Sequence, residues 1–265
     1  MNFIDTLKRV TKRRSPKVLT VRSAFDLTPN MRRVTLGGDD VKLLPEDSEG
    51  AYIKLVFEGE TEERPRMRTY TIARHRPEQM EIDVDFMLHF DQGGANDGLA
   101  APWSVNTRAG DLMPIFGPGP AKTVNHDADW FLMAADMTAL PALSVNLAAL
   151  PDDAKGTAFV EILSTDDQQT LSKPENVDIQ WVVNSEPGSE ASPLFHAVSS
   201  ARWLDGQVAC WVACEFKTMR KIRQYLKSDR GVTKSHIYIS SYWKKGNSEE
   251  QHKAVKQADL ESEGS

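Results

Sequence analysis

The hydrophobic pattern of this chain changes its period near residue 125. Before that point apolar and polar residues alternate, most clearly over residues 79–89 (QMEIDVDFMLH). Strict alternation predicts a strand with one face in a core and the other facing water or a polar ligand. Further strands are predicted at 18–25, 32–36, 52–57, 68–73 and 112–116. Short strands without a long helix between them predict an antiparallel β-barrel. The Gly- and Ala-rich stretch 91–107, interrupted by Pro102, is predicted to be a covering loop.

After residue 125 short apolar runs alternate with helical patterns. The runs at 130–135, 157–163, 179–184, 208–213 and 237–241 predict strands buried on both faces. Helices are predicted at 138–150, 192–201 and 216–228. This alternation predicts a doubly wound parallel sheet. We therefore assign residues 1–125 to a barrel domain, 126–246 to an α/β domain and 247–265 to a polar tail, helical if Ser248 and Gln251 form a capping box.

Composition narrows the class of protein. The 265 residues include 40% hydrophobic and 26% charged residues, which is typical of a soluble globular chain. No apolar run approaches the ~18 residues of a membrane span, and the first residues do not resemble a signal peptide. Two cysteines cannot form a disulfide framework, and no His lies at a metal-ligand spacing. We expect a cytoplasmic monomer without a metal site.

Charge is unevenly distributed along the chain. The net charge of −6 argues against nucleic-acid binding, but residues 8–22 and 217–245 are basic. Such a face on an acidic protein suggests an anionic small molecule or an acidic protein partner. The alternative is that these charges are simply solvated.

The sequence Arg68-Thr69-Tyr70-Thr71 lies in a predicted strand and matches the R-x-Y-[ST] flavin motif of the ferredoxin-reductase superfamily. Residues two apart on a strand share a face about 6.6 Å apart. Arg68 can therefore bind a diphosphate through its forked guanidinium while Tyr70 lies along an isoalloxazine ring. Thr71 can offer a backbone N–H or hydroxyl to the flavin edge. The alternative is an ordinary strand with Tyr70 in the barrel core.

Other segments surround this motif in a fixed order. They are DVDFMLH at 83–89, GLAAPW at 98–103, GD at 110–111, GPG at 117–119, DMTALPA at 136–142, WVACE at 211–215 and YWKKG at 242–246. Together they resemble the siderophore-interacting protein family of FAD-containing ferric-siderophore reductases. The resemblance implies a ferredoxin-reductase-like fold, in which a Greek-key barrel that binds FAD precedes a Rossmann-like, NAD(P)-binding-like α/β domain.

The resemblance also implies residue roles. The implied FAD contacts are Arg68, Thr69, Tyr70, Thr71, Asp85, Phe86, His89, Gly98, Leu99, Ala100, Ala101 and Trp103. The backbone of 98–101 would hold the diphosphate, with small side chains that permit close approach. Leu99 and Ala101 stand where the family often has Pro and Ser, which removes one hydroxyl contact.

On the electron-donor side the candidate residues are Asp136, Thr138, Cys214 and Glu215. A dinucleotide site uses glycines in its first βα turn, but residues 135–141 (ADMTALP) contain none. Thr138 is expected to cap the following helix. We expect weak NAD(P)H binding, with reduced ferredoxin as the better donor. Cys214 either lies close to the flavin or is a small buried hydrophobe.

Ferric siderophores of the catecholate class are anionic, so their site needs positive charge. The candidate residues are Lys54, Lys122, Lys244 and Lys245, whose ammonium groups suit this role as compact charges. The predicted function is FAD-dependent transfer of single electrons to a ferric siderophore, with electrons from NAD(P)H or reduced ferredoxin. The alternatives are a general flavin or quinone reductase of the same superfamily and a non-catalytic chelate-binding protein.

Overall fold

The structure, a computed structural model, describes residue 4 and residues 15–59, 65–88 and 98–263. The chain divides into two compact units, 1–122 and 123–265, here called unit 1 and unit 2. His89 and most of the basic segment at 8–22 lie outside the described residues. Among the described residues, no helix is long and apolar enough to cross a membrane.

Unit 1 contains six strands that close into a barrel. They are β1 (Lys17–Thr28), β2 (Met31–Gly37), β3 (Tyr52–Phe57), β4 (Arg66–Arg76), β5 (Glu81–Met87) and β6 (Leu112–Gly119). Their order around the barrel is β1-β2-β5-β4-β3-β6, and every pair is antiparallel. Strand β2 neighbours β5 instead of β3, which is a Greek-key connection. The predicted antiparallel barrel is confirmed.

The alternating pattern of β5 predicted its apolar face correctly and its polar face wrongly. Ile82, Val84 and Phe86 lie in the barrel core as predicted, each with no exposed surface. The opposite face was expected to meet water or a polar ligand, but Asp83 and Asp85 are buried there. Arginine and threonine side chains from neighbouring positions cover these two carboxylates and neutralise their charge, which makes burial tolerable.

The segment 91–107 was predicted to be a loop, and part of it is helical. Helix α1 spans Ala100–Asn106 and follows Leu99 as its N-cap. Pro102 is therefore the third helical residue, where a backbone N–H has no partner within the helix. A proline is tolerated at that position because it removes no hydrogen bond, so Pro102 does not interrupt the helix.

Unit 2 is a five-stranded parallel sheet of order β11-β10-β7-β8-β9 with helices between its strands. Its strands are β7 (Trp130–Ala135), β8 (Gly156–Ile162), β9 (Val177–Val183), β10 (Val208–Glu215) and β11 (Ile237–Trp243). Its helices are α2 (Leu140–Ala148), α3 (Pro193–Ser199), α4 (Phe216–Gln224) and α5 (Glu249–Glu263), and a π-helical turn, Tyr225–Asp229, follows α4. The doubly wound order is confirmed. Every residue of β7 and β10 is buried, as predicted. Strands β9 and β11 were also predicted to be buried on both faces, but they lie at the edges of the sheet and most of their residues are half-buried or exposed.

Helix α5 forms the tail and packs on unit 2. Ser248 and Gln251 form the predicted capping box, with Gln251 N donating to Ser248 Oγ at 3.3 Å and Ser248 N to Gln251 Oε1 at 2.9 Å. Further along the helix, Asp259 accepts two hydrogen bonds from the buried Arg223 guanidinium of α4, at 2.7 and 2.9 Å. His252 Nε2 lies 2.9 Å from Ser241 Oγ of β11. These contacts fix the tail against α4 and β11.

Candidate functional site

The flavin motif occupies the middle of β4, between β3 and β5. Arg68 lies opposite Leu55 and Tyr70 opposite Ile53 in the antiparallel register, so Arg68 and Tyr70 share the face that these core residues use. Both side chains are half-buried. Thr69 is exposed on the other face, and Thr71 is buried at the end of the motif.

Tyr70 belongs to a row of aromatic rings at the edge of the barrel core. Its ring centroid lies 4.5 Å from that of Phe86, and Phe86 lies 5.6 Å from Trp103 of α1. Trp103 in turn lies 6.1 Å from Phe57. Phe86 has no exposed surface, so its side chain supports Tyr70 from behind instead of offering a surface of its own. The row fixes the plane of a half-exposed tyrosine ring.

The other implied contacts surround this row. Ala100 and Ala101 are buried in the first turn of α1, while Gly98 and Leu99 just before it are half-buried. Asp85 has both oxygens bonded to Arg33, at 2.6 and 2.7 Å. Burial raises the pKa of Asp85 even against the hydrogen bonds and charge of Arg33.

The residues present fit a flavin nucleotide. A half-exposed aromatic ring can lie along an isoalloxazine, and a guanidinium two residues away on the same face can bind a phosphate. Arg68 Nη1 donates a hydrogen bond to the backbone carbonyl of Met67, 2.8 Å away. The small side chains of Ala100 and Ala101 leave the backbone of the turn before them approachable.

On the donor side, Asp136 follows β7 at the carboxyl end of the parallel sheet. Its Oδ1 accepts hydrogen bonds from the hydroxyl and backbone N–H of Thr138, at 2.5 and 3.0 Å, and from Ala139 N at 3.3 Å. Its Oδ2 accepts from Trp243 Nε1 at 2.7 Å. Thr138 was expected to cap α2, but its hydroxyl donates to Asp136, and the aspartate carboxylate bonds the N–H groups ahead of the helix.

Glu215 occupies the corresponding position on the neighbouring strand β10. Its Oε2 accepts from the backbone N–H groups of Lys217 and Thr218, at 2.5 and 3.1 Å, and so caps α4. Its Oε1 accepts from Lys245 N at 3.3 Å. The Glu215 carboxylate therefore bonds N–H groups in the first turn of α4, and the Asp136 carboxylate bonds those of Thr138 and Ala139 just ahead of α2. A dinucleotide diphosphate binds at this end of the sheet in a Rossmann-like domain.

Cys214 lies in the apolar cluster of unit 2 and is 1% exposed. Burial, followed by the charges of Asp136, Glu161 and Glu215, raises the pKa of its thiol well above the ordinary value. The thiol therefore stays protonated, and a position of Cys214 close to the flavin stays a prediction. Cys210 is buried in the same cluster, and burial raises its pKa to about 12.

Glu161 was missed by the sequence reasoning. It is 5% exposed near the carboxyl end of β8, and its Oε2 accepts from Asn184 Nδ2 at 3.0 Å. Burial raises its pKa to about 7, and the charge of Asp136 adds to the effect. The sequence did contain a signal for Glu161, namely an acidic residue inside an otherwise apolar predicted strand. Such a residue has to be paired or neutral when it is buried.

The four candidate lysines divide between the units. Lys54 lies on β3 opposite Thr69, and Lys122 is exposed at the end of unit 1. In unit 2, Lys244 Nζ lies 5.0 Å from the centroid of the Phe216 ring. Their grouping around one ligand stays a prediction. Within the described residues, no group of three His, Cys, Asp or Glu side chains is arranged to hold a metal ion.

Comparison with known families follows the same division of the chain. The model of the siderophore-interacting FAD-binding domain matches residues 20–63 and 58–122, and that of the siderophore-interacting protein matches residues 128–246. The chain belongs to the siderophore-interacting protein family.

Individual relatives of this siderophore-interacting protein agree with that assignment. Ferric vibriobactin reductase ViuB of Vibrio cholerae is 30% identical over 254 residues, covering 89% of this chain and 92% of the relative. The crystal structure of the siderophore-interacting protein SipS from Aeromonas hydrophila has a TM-score of 0.81 at 30% identity, covering 93% of this chain and 98% of that one. A ferredoxin-NADP+ reductase from Plasmodium falciparum, 14% identical with a TM-score of 0.59 over 86% of this chain and 97% of that one, shares the fold. The predicted ferredoxin-reductase-like fold is confirmed.

Proposed function

We propose that this protein is an FAD-dependent ferric-siderophore reductase that passes single electrons to Fe(III) in an anionic chelate, so that Fe(II) is released in the cytoplasm. The observation that carries the proposal is the Arg68–Tyr70 face of β4, which lies in the part of the chain matched by an FAD-binding family model. A relative of similar length, named as a ferric vibriobactin reductase, supports the same chemistry.

Each flavin-side residue has a physical role in this proposal. Arg68 binds a diphosphate oxygen, because a guanidinium presents its N–H donors in a fork that matches phosphate oxygens. Tyr70, held in place by Phe86, lies along the isoalloxazine and excludes water from one face of it. Thr71 donates to the flavin edge, and the backbone at 98–101 lies against the diphosphate. His89 is assigned to the phosphates or adenine on the resemblance alone.

The cofactor supplies one capacity that no side chain has, since a flavin exchanges electrons either singly or in pairs. The protein's task is to bind the chelate near it. Hard oxygen donors bind Fe(III) more strongly than Fe(II), so one-electron reduction weakens the chelate and releases the metal. Lys54, Lys122, Lys244 and Lys245 attract the chelate, with each ammonium contributing modestly at an effective dielectric of ~20.

For the electron donor we propose reduced ferredoxin ahead of NAD(P)H. The N–H groups of Thr138 and Ala139 ahead of α2 already bond Asp136, and those of Lys217 and Thr218 in α4 already bond Glu215. A dinucleotide diphosphate would have to displace these two carboxylates and would be repelled by them. A protein donor needs neither set of N–H groups.

Two assays test the proposed function against its alternatives. Reduced, FAD-loaded protein mixed with a ferric catecholate chelate is expected to form Fe(II), measured as the ferrozine complex, over many turnovers. Binding without turnover would favour a chelate-binding protein. Equal turnover of neutral quinones and anionic chelates would favour a general quinone reductase, because a quinone needs no positive charge in its site.

A further inference from the structure

Helix α4 presents a row of basic side chains on one face. The α4 stripe, as we call it below, consists of Lys217, Arg220, Lys221 and the neutral Gln224 of α4, and of Lys227 in the π-helical turn that follows. These residues recur at the helical spacing. The opposite face of the helix, with Met219 and Ile222, is buried in unit 2. The stripe lies along an open groove of about 510 Å³, whose lining also includes Glu190 and the Phe216 ring.

The charge along this groove is strongly positive in a chain whose net charge is −6. Glu190 pairs with Lys217, and Asp259 lies 3.3 Å from Arg220. Asp259 is also bonded to the buried Arg223, so its charge is already neutralised from within the unit. Lys221 donates to the backbone carbonyl of Glu190 at 2.9 Å and to Ser192 Oγ at 3.0 Å.

The form of the stripe indicates the kind of ligand. From 217 to 227 it extends about 15 Å, at ~1.5 Å per helical residue. The side chains of Lys217 and Arg220 are 51% and 59% exposed, so these cations remain hydrated instead of enclosing a desolvated anion. Exposed charges in a row attract a charged protein over a distance and orient it, whereas each single pair contributes little.

We infer that the α4 stripe is the docking surface for the electron-donating protein, a small acidic one-electron carrier. The inference rests on the proposed function, since it requires a flavin that accepts electrons. Two reduced carriers each lose one electron in successive encounters, and the flavin takes both electrons with a proton from water. The carboxylates of Asp136 and Glu215, which bond backbone N–H groups just after β7 and β10, disfavour an anionic dinucleotide there and so agree with a protein donor.

The test uses an acidic [2Fe–2S] ferredoxin as the probe and the double variant Lys217→Glu/Lys227→Glu. Neither lysine belongs to the flavin or siderophore site. At low ionic strength, about 20 mM, we expect at least a tenfold rise in the Kd of oxidised ferredoxin, measured by calorimetry. The rate constant for flavin reduction by reduced ferredoxin in stopped flow should fall by the same factor. Both differences should shrink to about twofold at 0.5 M salt, where the Debye length is only a few Å.

The matched control is Lys155→Glu/Lys173→Glu, which makes the same charge change at two exposed lysines elsewhere on unit 2. The control should stay within about twofold of wild type. Equal effects of the two double variants would overturn the assignment, because net charge and not the α4 stripe would then determine binding. Failure of ferredoxin to bind wild type would overturn it as well. Photoreduced protein that still converts ferric chelate to Fe(II) in either case would leave the reductase function standing.

Discussion

Replacing Asp259 with alanine should release the tail helix α5 from unit 2. The carboxylate bonds both Nη atoms of Arg223, at 2.7 and 2.9 Å, and Arg223 is only 7% exposed. Removing one partner of a buried ion pair costs about 3–5 kcal/mol. Because detachment of α5 would let water reach the Arg223 guanidinium, we take the lower end, about 3 kcal/mol. For a unit of this size that corresponds to a fall in Tm of about 8 °C.

Calorimetric unfolding of the purified variant measures this effect, and FAD content should not change because the substitution lies outside unit 1. The double variant Asp259→Ala/Arg223→Met removes both charges and should recover most of the loss. Hydrogen bonds from Arg223 lower the pKa of Asp259, so its contribution is present above pH ~4 and is lost as pH falls through the lowered pKa.

Glu261→Gln, an exposed change on the same helix, should alter stability by less than about 0.5 kcal/mol. The reasoning is refuted if Asp259→Ala lowers stability by no more than this control. It is also refuted if the double variant with Arg223→Met is as unstable as the single one.

Three further predictions concern the sites. Burial raises the pKa of Glu161 to about 7 from an ordinary value of 4.5, so wild type loses stability as pH rises through this interval. Glu161→Gln should therefore gain about 3 kcal/mol at pH 8 but only about 1 kcal/mol at pH 5 in urea unfolding, and equal stability of the two proteins at pH 8 would contradict this. Arg68→Gln should raise the Kd of FAD about 10- to 100-fold, through loss of a charge-assisted hydrogen bond of about 1.5–3 kcal/mol; an unchanged Kd in fluorescence titration would remove Arg68 from the site. Charge reversal at Lys54 and Lys122 should raise KM for a ferric catecholate at low salt with FAD content unchanged, and a steady KM would exclude this pair from chelate binding.

Hydrophobic period alone predicted most of the fold. Residues 130–135 were predicted as a strand and form β7, and 52–57 likewise form β3. Both segments consist mainly of apolar residues, so their burial follows from the hydrophobic pattern of the sequence. The seven-residue helix α1 was missed because Pro102 was taken as a helix breaker. Pro102 is tolerated because it is the third residue of the helix, and this position follows from the start of the helix at Ala100. No local pattern fixes that start.

The side-chain pairing within the candidate site was harder to predict. Asp136 and Glu215 were recognised as important at the ends of β7 and β10, but their carboxylates bond the following backbone instead of standing free for a donor. The difference depends on backbone directions at each strand end, which composition and spacing do not determine. Asp83 and Asp85 were predicted to meet water or a ligand, and their arginine partners come from other strands or distant positions on the chain.

The most direct test of FAD binding uses correctly folded, purified protein. Its absorption spectrum is recorded first, and FAD is then titrated into it. We predict the yellow spectrum of oxidised flavin at a stoichiometry of about one FAD per chain, with loss of affinity in Arg68→Gln. A colourless, folded preparation that takes up no added FAD would contradict the account.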